Sequence, residues 1–159
     1  VQHMTESATL DRTDLRLLAL LQRDGRATNA DIAAQVNLSP SACLRRIQRL
    51  EATGVIAGYA ARVDPKAIGM GLQAFVRVQL EKHDPASVQH FGDSVRAWDE
   101  VVACYALTGD MDYLLRVVVR DMAHYSRFVL DTLLKHPSVQ DCKTSFVLDR
   151  VKSTTALPL

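Results

Sequence analysis

Cysteine is scarce in this chain, with only three among 159 residues. Cys43, Cys104 and Cys142 stand far apart, form no Cys-x-x-Cys pair and are odd in number. That pattern argues against a disulfide framework or a zinc ribbon and for a reducing, cytoplasmic setting, with the thiols expected to be buried. No apolar run is long enough to span a bilayer, so no membrane partner is expected. No signal peptide opens the chain, and Val1-Gln2-His3 reads as a tag remnant ahead of a natural start at Met4. Net charge is only +1, so any nucleic-acid binding must use a local basic patch. His83, His90, His124 and His136 show neither His-x-x-x-His spacing nor a neighbouring cysteine pair, and His3 lies in the tag-like segment. A Ser-His-Asp set and a glycine-rich phosphate loop are also missing. Catalytic residues, metal ligands and cofactors are therefore all expected to be none.

The composition that remains is that of an ordinary globular protein, 48% apolar and 23% charged, long enough for one large domain or two small ones. The most informative stretch is Ser39-Pro40-Ser41-Ala42-Cys43-Leu44-Arg45-Arg46-Ile47-Gln48-Arg49-Leu50, which holds three arginines and no acid. Ser39 can cap a helix, and Pro40 suits the first helical position, where no backbone N–H is needed. Leu44, Ile47 and Leu50 recur at helical spacing and are expected to point inward, leaving Ser41, Ala42, Arg45 and Arg49 on or near the opposite side. Small residues at the start of such a helix allow close approach to a duplex, and guanidiniums further along reach phosphates or guanine edges. A merely solvated basic face is the plainer alternative.

Two more helices precede this one. Leu10 to Gly25 is expected to begin with an Asp11 cap and Asp14, and to bury Leu15, Leu18 and Leu21 or Leu20. Thr28 caps a second helix in which Ile32, Ala33 and Val36 face inward and Asn37 closes the end. Only Asn37-Leu38-Ser39 separates it from the third, which is helix-turn-helix spacing. Val55-Ile56 and Tyr59 to Val63 then read as a short wing and a linking strand, and Asp64-Pro65, Gly69 and Gly71 mark a junction. Beyond it come a strand (Leu72 to Leu80), a helix (Pro85 to Trp98, burying Val88, Phe91 and Val95), two strands joined at Thr108-Gly109-Asp110, a helix capped by Asp121, and a last strand region from Val139 to Val151. The order βαββαβ is the split arrangement of a ferredoxin-like sheet with both helices on one face. The expected class is α+β, a winged helix-turn-helix at residues 4–58, a linking strand and hinge at 59–70, and a ferredoxin-like sandwich at 71–159. Helices on one face leave the other in need of cover, and runs such as Leu114 to Val119 make a second copy of the chain the simplest one.

This combination resembles the Lrp/AsnC family of bacterial regulators. The likeness runs from Leu10 onward and rests on three stretches: Leu10-Asp11-Arg12-Thr13-Asp14, Leu38 to Glu51 with Gly54-Val55-Ile56, and Thr108-Gly109-Asp110-Met111-Asp112-Tyr113-Leu114-Leu115. It implies a transcription regulator that dimerises, assembles further into rings or discs such as an octamer, and takes an amino-acid effector where second domains meet.

Two candidate sites follow. The DNA site comprises Thr28, Asn29, Ser39, Ser41, Ala42, Arg45, Arg46 and Arg49. Thr28 and Asn29 can donate to a phosphate at a helix start, whereas Arg46 can instead pair with Glu51 or with an acid on the first helix. At the hairpin, Gly109 permits a positive φ and leaves N–H groups open to a carboxylate, and Asp112 and Asp110 can accept from an ammonium. Gly-Asp is also ordinary turn chemistry, and the residues alone favour that reading. The resemblance turns the balance toward a ligand role for Gly109, Met111 and Asp112, with Thr132, Ser145, Phe146 and Val147 supplied by a neighbouring subunit. Apolar surroundings point to leucine or methionine. Two rivals share parts of this plan: a sirohaem-decarboxylase-like enzyme, and an architectural DNA-binding protein without operator specificity.

Overall fold

The computed structural model describes residues 9–159, so Val1-Gln2-His3, Met4 and the remainder of that first segment lie outside it. Two compact units form. One holds the residues up to Ala61 together with Lys152–Leu159; the other is Arg62–Val151.

The first unit contains helices α1 (Arg12–Arg23), α2 (Asn29–Val36) and α3 (Pro40–Ala52). Each begins where a short polar side chain can accept from the free N–H groups of the first turn. Asp11 accepts from the Asp14 N–H at 2.8 Å while Asp14 accepts from the Asp11 N–H at 3.1 Å, a reciprocal capping box. Thr28 and Ser39 accept from the N–H groups of Asp31 and Ala42. Between α2 and α3 the chain turns at Asn37, whose φ of 56° is left-handed; asparagine takes this conformation more readily than bulkier residues.

Leu17, Ile32, Ala33, Val36, Cys43 and Ile47 build the core, flanked by Leu20, Leu21 and Ile56. Two inward expectations are corrected here. The buried line of α1 runs through Asp14, Leu17 and Leu21, not Leu15 and Leu18, and Leu15 is exposed. An aspartate belongs to the buried stripe, and it shifts the phase that leucines alone imply. On α3, Cys43 takes the inward place given to Leu44, which is 45% exposed. No strand forms at Val55-Ile56 or at Tyr59–Val63. The segment closes back locally, with the Ile56 N–H donating to the Leu50 carbonyl and the Tyr59 hydroxyl to Glu51, each at 3.0 Å. An extended stretch with no neighbouring strand has no ladder to join. Gln22 on α1 holds Leu157 at both main-chain groups, donating to its carbonyl at 3.1 Å and accepting from its N–H at 2.5 Å.

The second unit has β1 (Leu72–Leu80), α4 (Pro85–Ala97), β2 (Val101–Ala106), β3 (Tyr113–Val119), α5 (Met122–Arg127) and β4 (Val139–Phe146). The sheet order is β2-β3-β1-β4, and every pairing is antiparallel, as the ferredoxin-like reading requires. Asp84 and Asp121 cap α4 and α5. One face of the sheet is dry: Ala74, Val76, Val78 and Leu80 of β1 and Leu115, Val117 and Val119 of β3 pack with Phe91, Tyr125, Phe128 and Leu133 from the helices. Val88, expected inward, is exposed. After α5 the chain widens into a π-helix at Phe128–Leu133, in which the Leu134 N–H reaches back to the Val129 carbonyl.

The register places Phe75, Arg77, Leu114 and Arg116 on the opposite face, beside Ser145, Lys143 and Tyr105. Phe75, Leu114 and Arg116 are half-buried, and the Arg116 Nε is buried without a hydrogen-bond partner among the described residues. Of the thiols only Cys43 is buried, whereas Cys104 is exposed on β2, a strand at the sheet's edge.

Candidate nucleic-acid interface and ligand-binding hairpin

Helix α3 offers an uneven set of arginines. Arg45 is exposed and makes no side-chain hydrogen bond or ion pair among the described residues. Arg46 and Arg49 are tied down. The Arg46 Nη1 donates to Asp11 at 2.7 Å and to Asp14 at 2.8 Å, and the Arg49 Nη2 donates to Asp14 at 2.5 Å. Arg46 therefore takes the acid-on-helix-one option, while Arg49 makes a contact that its spacing along α3 does not announce. Asp14 is fully buried. Burial opposes its ionisation, but the Asp11 N–H and the two guanidiniums outweigh that, and its pKa lies below the usual carboxylate value. The Asp11 carboxyl is lowered too, by the Asp14 N–H first and Arg46 next. Asp11, Leu38, Ala42, Arg45, Arg46 and Arg49 line a shallow cavity of about 420 Å³ beside the helix.

At the entrance to the turn, Ser39 and Ser41 are exposed with their hydroxyls 3.3 Å apart, and Ala42 is half-buried. The Thr28 hydroxyl is committed to Asp31, donating to its carboxylate at 2.6 Å. Asn29 joins the two helices: its Nδ2 donates to the Pro40 carbonyl at 2.8 Å, and its Oδ1 is buried with no partner among the described residues. The Thr28 hydroxyl and the Asn29 Nδ2 are thus engaged inside the motif, although Thr28 itself is exposed.

The hairpin between β2 and β3 is built around Gly109, whose φ of +114° is unfavourable for residues with a Cβ. Gly109 and Asp110 are exposed and Met111 is half-buried. Asp112 is engaged within the chain. One carboxylate oxygen accepts from the Leu80 N–H at 2.7 Å, the other lies 2.7 Å from the His83 Nε2, and the Asp112 N–H donates to the Val78 carbonyl at 2.9 Å. Asp112 therefore fixes the hairpin to the end of β1, where the register shifts between Gln79 and Leu80. His83 carries no motif that marks it in the sequence.

The other proposed ligand contacts lie elsewhere in the same unit. Ser145 and Phe146 pair with Phe75 and Ala74 near the start of β1, and the Val147 N–H donates to the Gln73 carbonyl. Along β1, five residues of rise separate Phe75 from Leu80, about 17 Å at extended-strand spacing. Phe146 stacks edge-on against Tyr125, and Thr132 sits half-buried in the π-helix. A single protomer does not bring the hairpin and the β4 residues together. No group of three or more His, Cys, Asp or Glu among the described residues is placed to hold a metal ion. Nor is any described helix long and apolar enough to cross a membrane.

Comparison with known proteins agrees with this architecture. Residues 10–57 match the profile described as winged helix-turn-helix DNA-binding, and residues 73–157 match that of the Lrp/AsnC ligand binding domain. The leucine-responsive regulatory protein of Haemophilus influenzae is 39% identical over 150 residues, covering 94% of this chain and 90% of the relative. That of Escherichia coli K12 is 38% identical over 148 residues, covering 93% and 90%. A transcriptional regulator of Neisseria meningitidis, solved in complex with L-methionine, superposes with a TM-score of 0.91 at 50% identity, over 94% of this chain and 97% of that one. An AsnC family regulator of Agrobacterium tumefaciens superposes at 0.89 with 38% identity over the same shares. With both of its parts matched and these relatives spanning nearly its whole length, the chain belongs to the Lrp/AsnC family of transcriptional regulators, joining a DNA-binding helix-turn-helix to an amino-acid-binding domain.

Proposed function

We propose that α3 is the recognition helix, that Arg45 reads a base edge, and that Ser39, Ser41 and Ala42 give the close approach to the duplex. The observation that carries this is Arg45 standing exposed and unpaired on a capped helix behind a short left-handed turn. Arg46 and Arg49 stand beside it, held by Asp11 and Asp14, and the α2 start, Thr28 and Asn29, offers backbone N–H groups. Fluorescence anisotropy at fixed salt tests the assignment. Arg45→Ala is expected to weaken binding to a selected duplex by about 1–3 kcal/mol and to relax the preference at one base position. Unchanged affinity removes Arg45 from the interface.

The effector is an aliphatic or thioether amino acid, methionine or leucine. The methionine complex of the Neisseria relative and the names of the leucine-responsive relatives support this choice. Gly109, Asp110 and Met111 take its polar end, with Asp112 as the group that holds the hairpin still. Ser145, Phe146, Val147 and Thr132 of a neighbouring subunit complete the pocket, which the separation between the hairpin and β4 supports. The face bearing Phe75, Leu114 and Arg116 pairs two copies, and dimers assemble further, to an octamer for example. The effector favours one assembly over another and so changes how many recognition helices engage DNA together.

The protein works by binding, not by catalysis, and does so in the cytoplasm; residues 4–58, 59–70 and 71–159 are its reading head, hinge and sensor. The intact basic helix favours this over a sirohaem-decarboxylase-like enzyme, and purified protein is expected to take up no haem-like pigment. Thermal shift against the amino acids, followed by light scattering, tests the effector. A ligand present at a hundred times its Kd adds about 2.7 kcal/mol of stability. Neither methionine nor leucine moving the transition would reject the choice.

A further inference from the structure

Three arginines on α3 face a concave surface, yet two acids of α1 reach into the same place. The Asp14 carboxylate has no exposed surface and is shared between Arg46 and Arg49. Asp11 remains 53% exposed at its side chain and lines the cavity beside the guanidiniums. Two full negative charges thus offset two of the three recognition-helix cations, and they sit where a DNA phosphate would otherwise find its counter-charge. A carboxylate in such a groove repels a polyanion that arrives in the wrong register, whereas a paired guanidinium cannot swing out to meet it.

We propose that Asp11 and Asp14 are positioning and specificity residues for DNA recognition. They immobilise Arg46 and Arg49, hold down sequence-independent phosphate binding and leave Arg45 as the guanidinium that reads a base. The proposal rests on α3 being the recognition helix. It adds that the acids of α1, which need touch no DNA, set the ratio of specific to non-specific affinity. Non-specific binding grows with the number of phosphates neutralised, so each cation withheld lowers it and flattens its salt dependence.

The test uses the full chain. A tight duplex is first selected from a random pool with the unmodified protein, and anisotropy titrations across a salt series then compare that duplex with a scrambled one for Asp14→Asn and Asp11→Asn. Either change adds one net positive charge to the groove. On the scrambled duplex the plot of log affinity against log salt is expected to steepen by about 0.9, the increment for one further phosphate contact. Affinity for that duplex rises several-fold at low salt, and the ratio of selected to scrambled binding falls. Asp24→Asn removes an exposed acid of the same unit that does not line the cavity, and is expected to change neither slope nor ratio. A purely architectural role for the acids predicts a lower melting temperature with unchanged slope and ratio, and that outcome overturns the proposal. Should Asp14→Asn fail to fold, Asp11→Asn decides alone, because asparagine keeps the cap and the site is exposed. If the unmodified chain selects no duplex, the recognition-helix assignment itself falls and the role of the acids with it.

Discussion

The two units treat their charges in opposite ways. In the first, the cations of α3 meet the acids of α1 inside the same fold, and the caps of all three helices are closed by neighbouring residues. In the second, one sheet face is dry and complete, while the other leaves the Arg116 Nε buried without a partner, next to half-buried Phe75 and Leu114. A buried donor without an acceptor is costly, so the second unit is built to be finished by something outside itself. The first also buries one polar atom without a partner, the Asn29 Oδ1, but it pairs two of the three α3 guanidiniums internally and leaves Arg45 unpaired.

That contrast can be broken at several points. The largest effect is expected from Phe91→Ala, which empties the centre of the second core at a cost of about 3–5 kcal/mol. Calorimetry should show the second unit's transition falling while the first unit's stays; a joint shift would mean the units are not separate folding bodies. Next in size is Phe75→Lys, which sets a second cation directly opposite Arg116 on the outer sheet face. Burying like charges there would weaken pairing of two copies by about 3 kcal/mol, read by light scattering as a mass reduced to one chain. An unchanged mass would move the dimer contact elsewhere.

Gly109→Val sharpens the comparison at the hairpin. A β-branched residue at this positive φ is expected to cost about 1–3 kcal/mol and to abolish the thermal shift produced by methionine, with duplex binding retained. The smallest effect is expected from pH, and it separates the units by sign and window. His136 is buried, accepting at Nδ1 from the Ser138 N–H and lying 3.0 Å through Nε2 from the Ser94 hydroxyl. Burial, and then the nearby His90, push its pKa below the ordinary histidine value. The unfolded chain therefore binds the proton first: the stability held by neutral His136 is complete above about pH 6.5 and is lost as the pH falls below it. The lowered pKa values of Asp11 and Asp14 work in a more acidic window, where stability is full above the unfolded carboxylate value near about 4 and lost below it. Acid melts between these limits should soften the second unit first, and His136→Gln should remove that softening.

Much of the fold was legible because it is written in local chemistry. Asp11, Thr28, Ser39, Asp84 and Asp121 all cap the helices their positions imply, since a cap needs only its own side chain and the next turn. The strands follow from apolar runs, and their arrangement in the sheet from the βαββαβ succession. What escaped depends on partners remote in the chain. Asp14 meets Arg49 across 35 positions, so nothing near either residue marks the pair, and counting Asp14 as polar misplaced the buried stripe of α1. His83 meets Asp112 across 29 positions, so nothing near either residue shows that this carboxylate also braces the hairpin. The wing strands failed for a related reason: β character at Tyr59 to Val63 is a property of side chains, but a strand exists only beside another.

The wide turn at Phe128–Leu133 has a bearing on engineering. Such a turn holds one residue more than an α-helical turn, and removing one residue rotates everything after it by about 100°. Trimming that residue would leave an uninterrupted α-helix, yet it would swing Leu133 away from the core it closes. The wide turn and the packing of Leu133 therefore depend on each other.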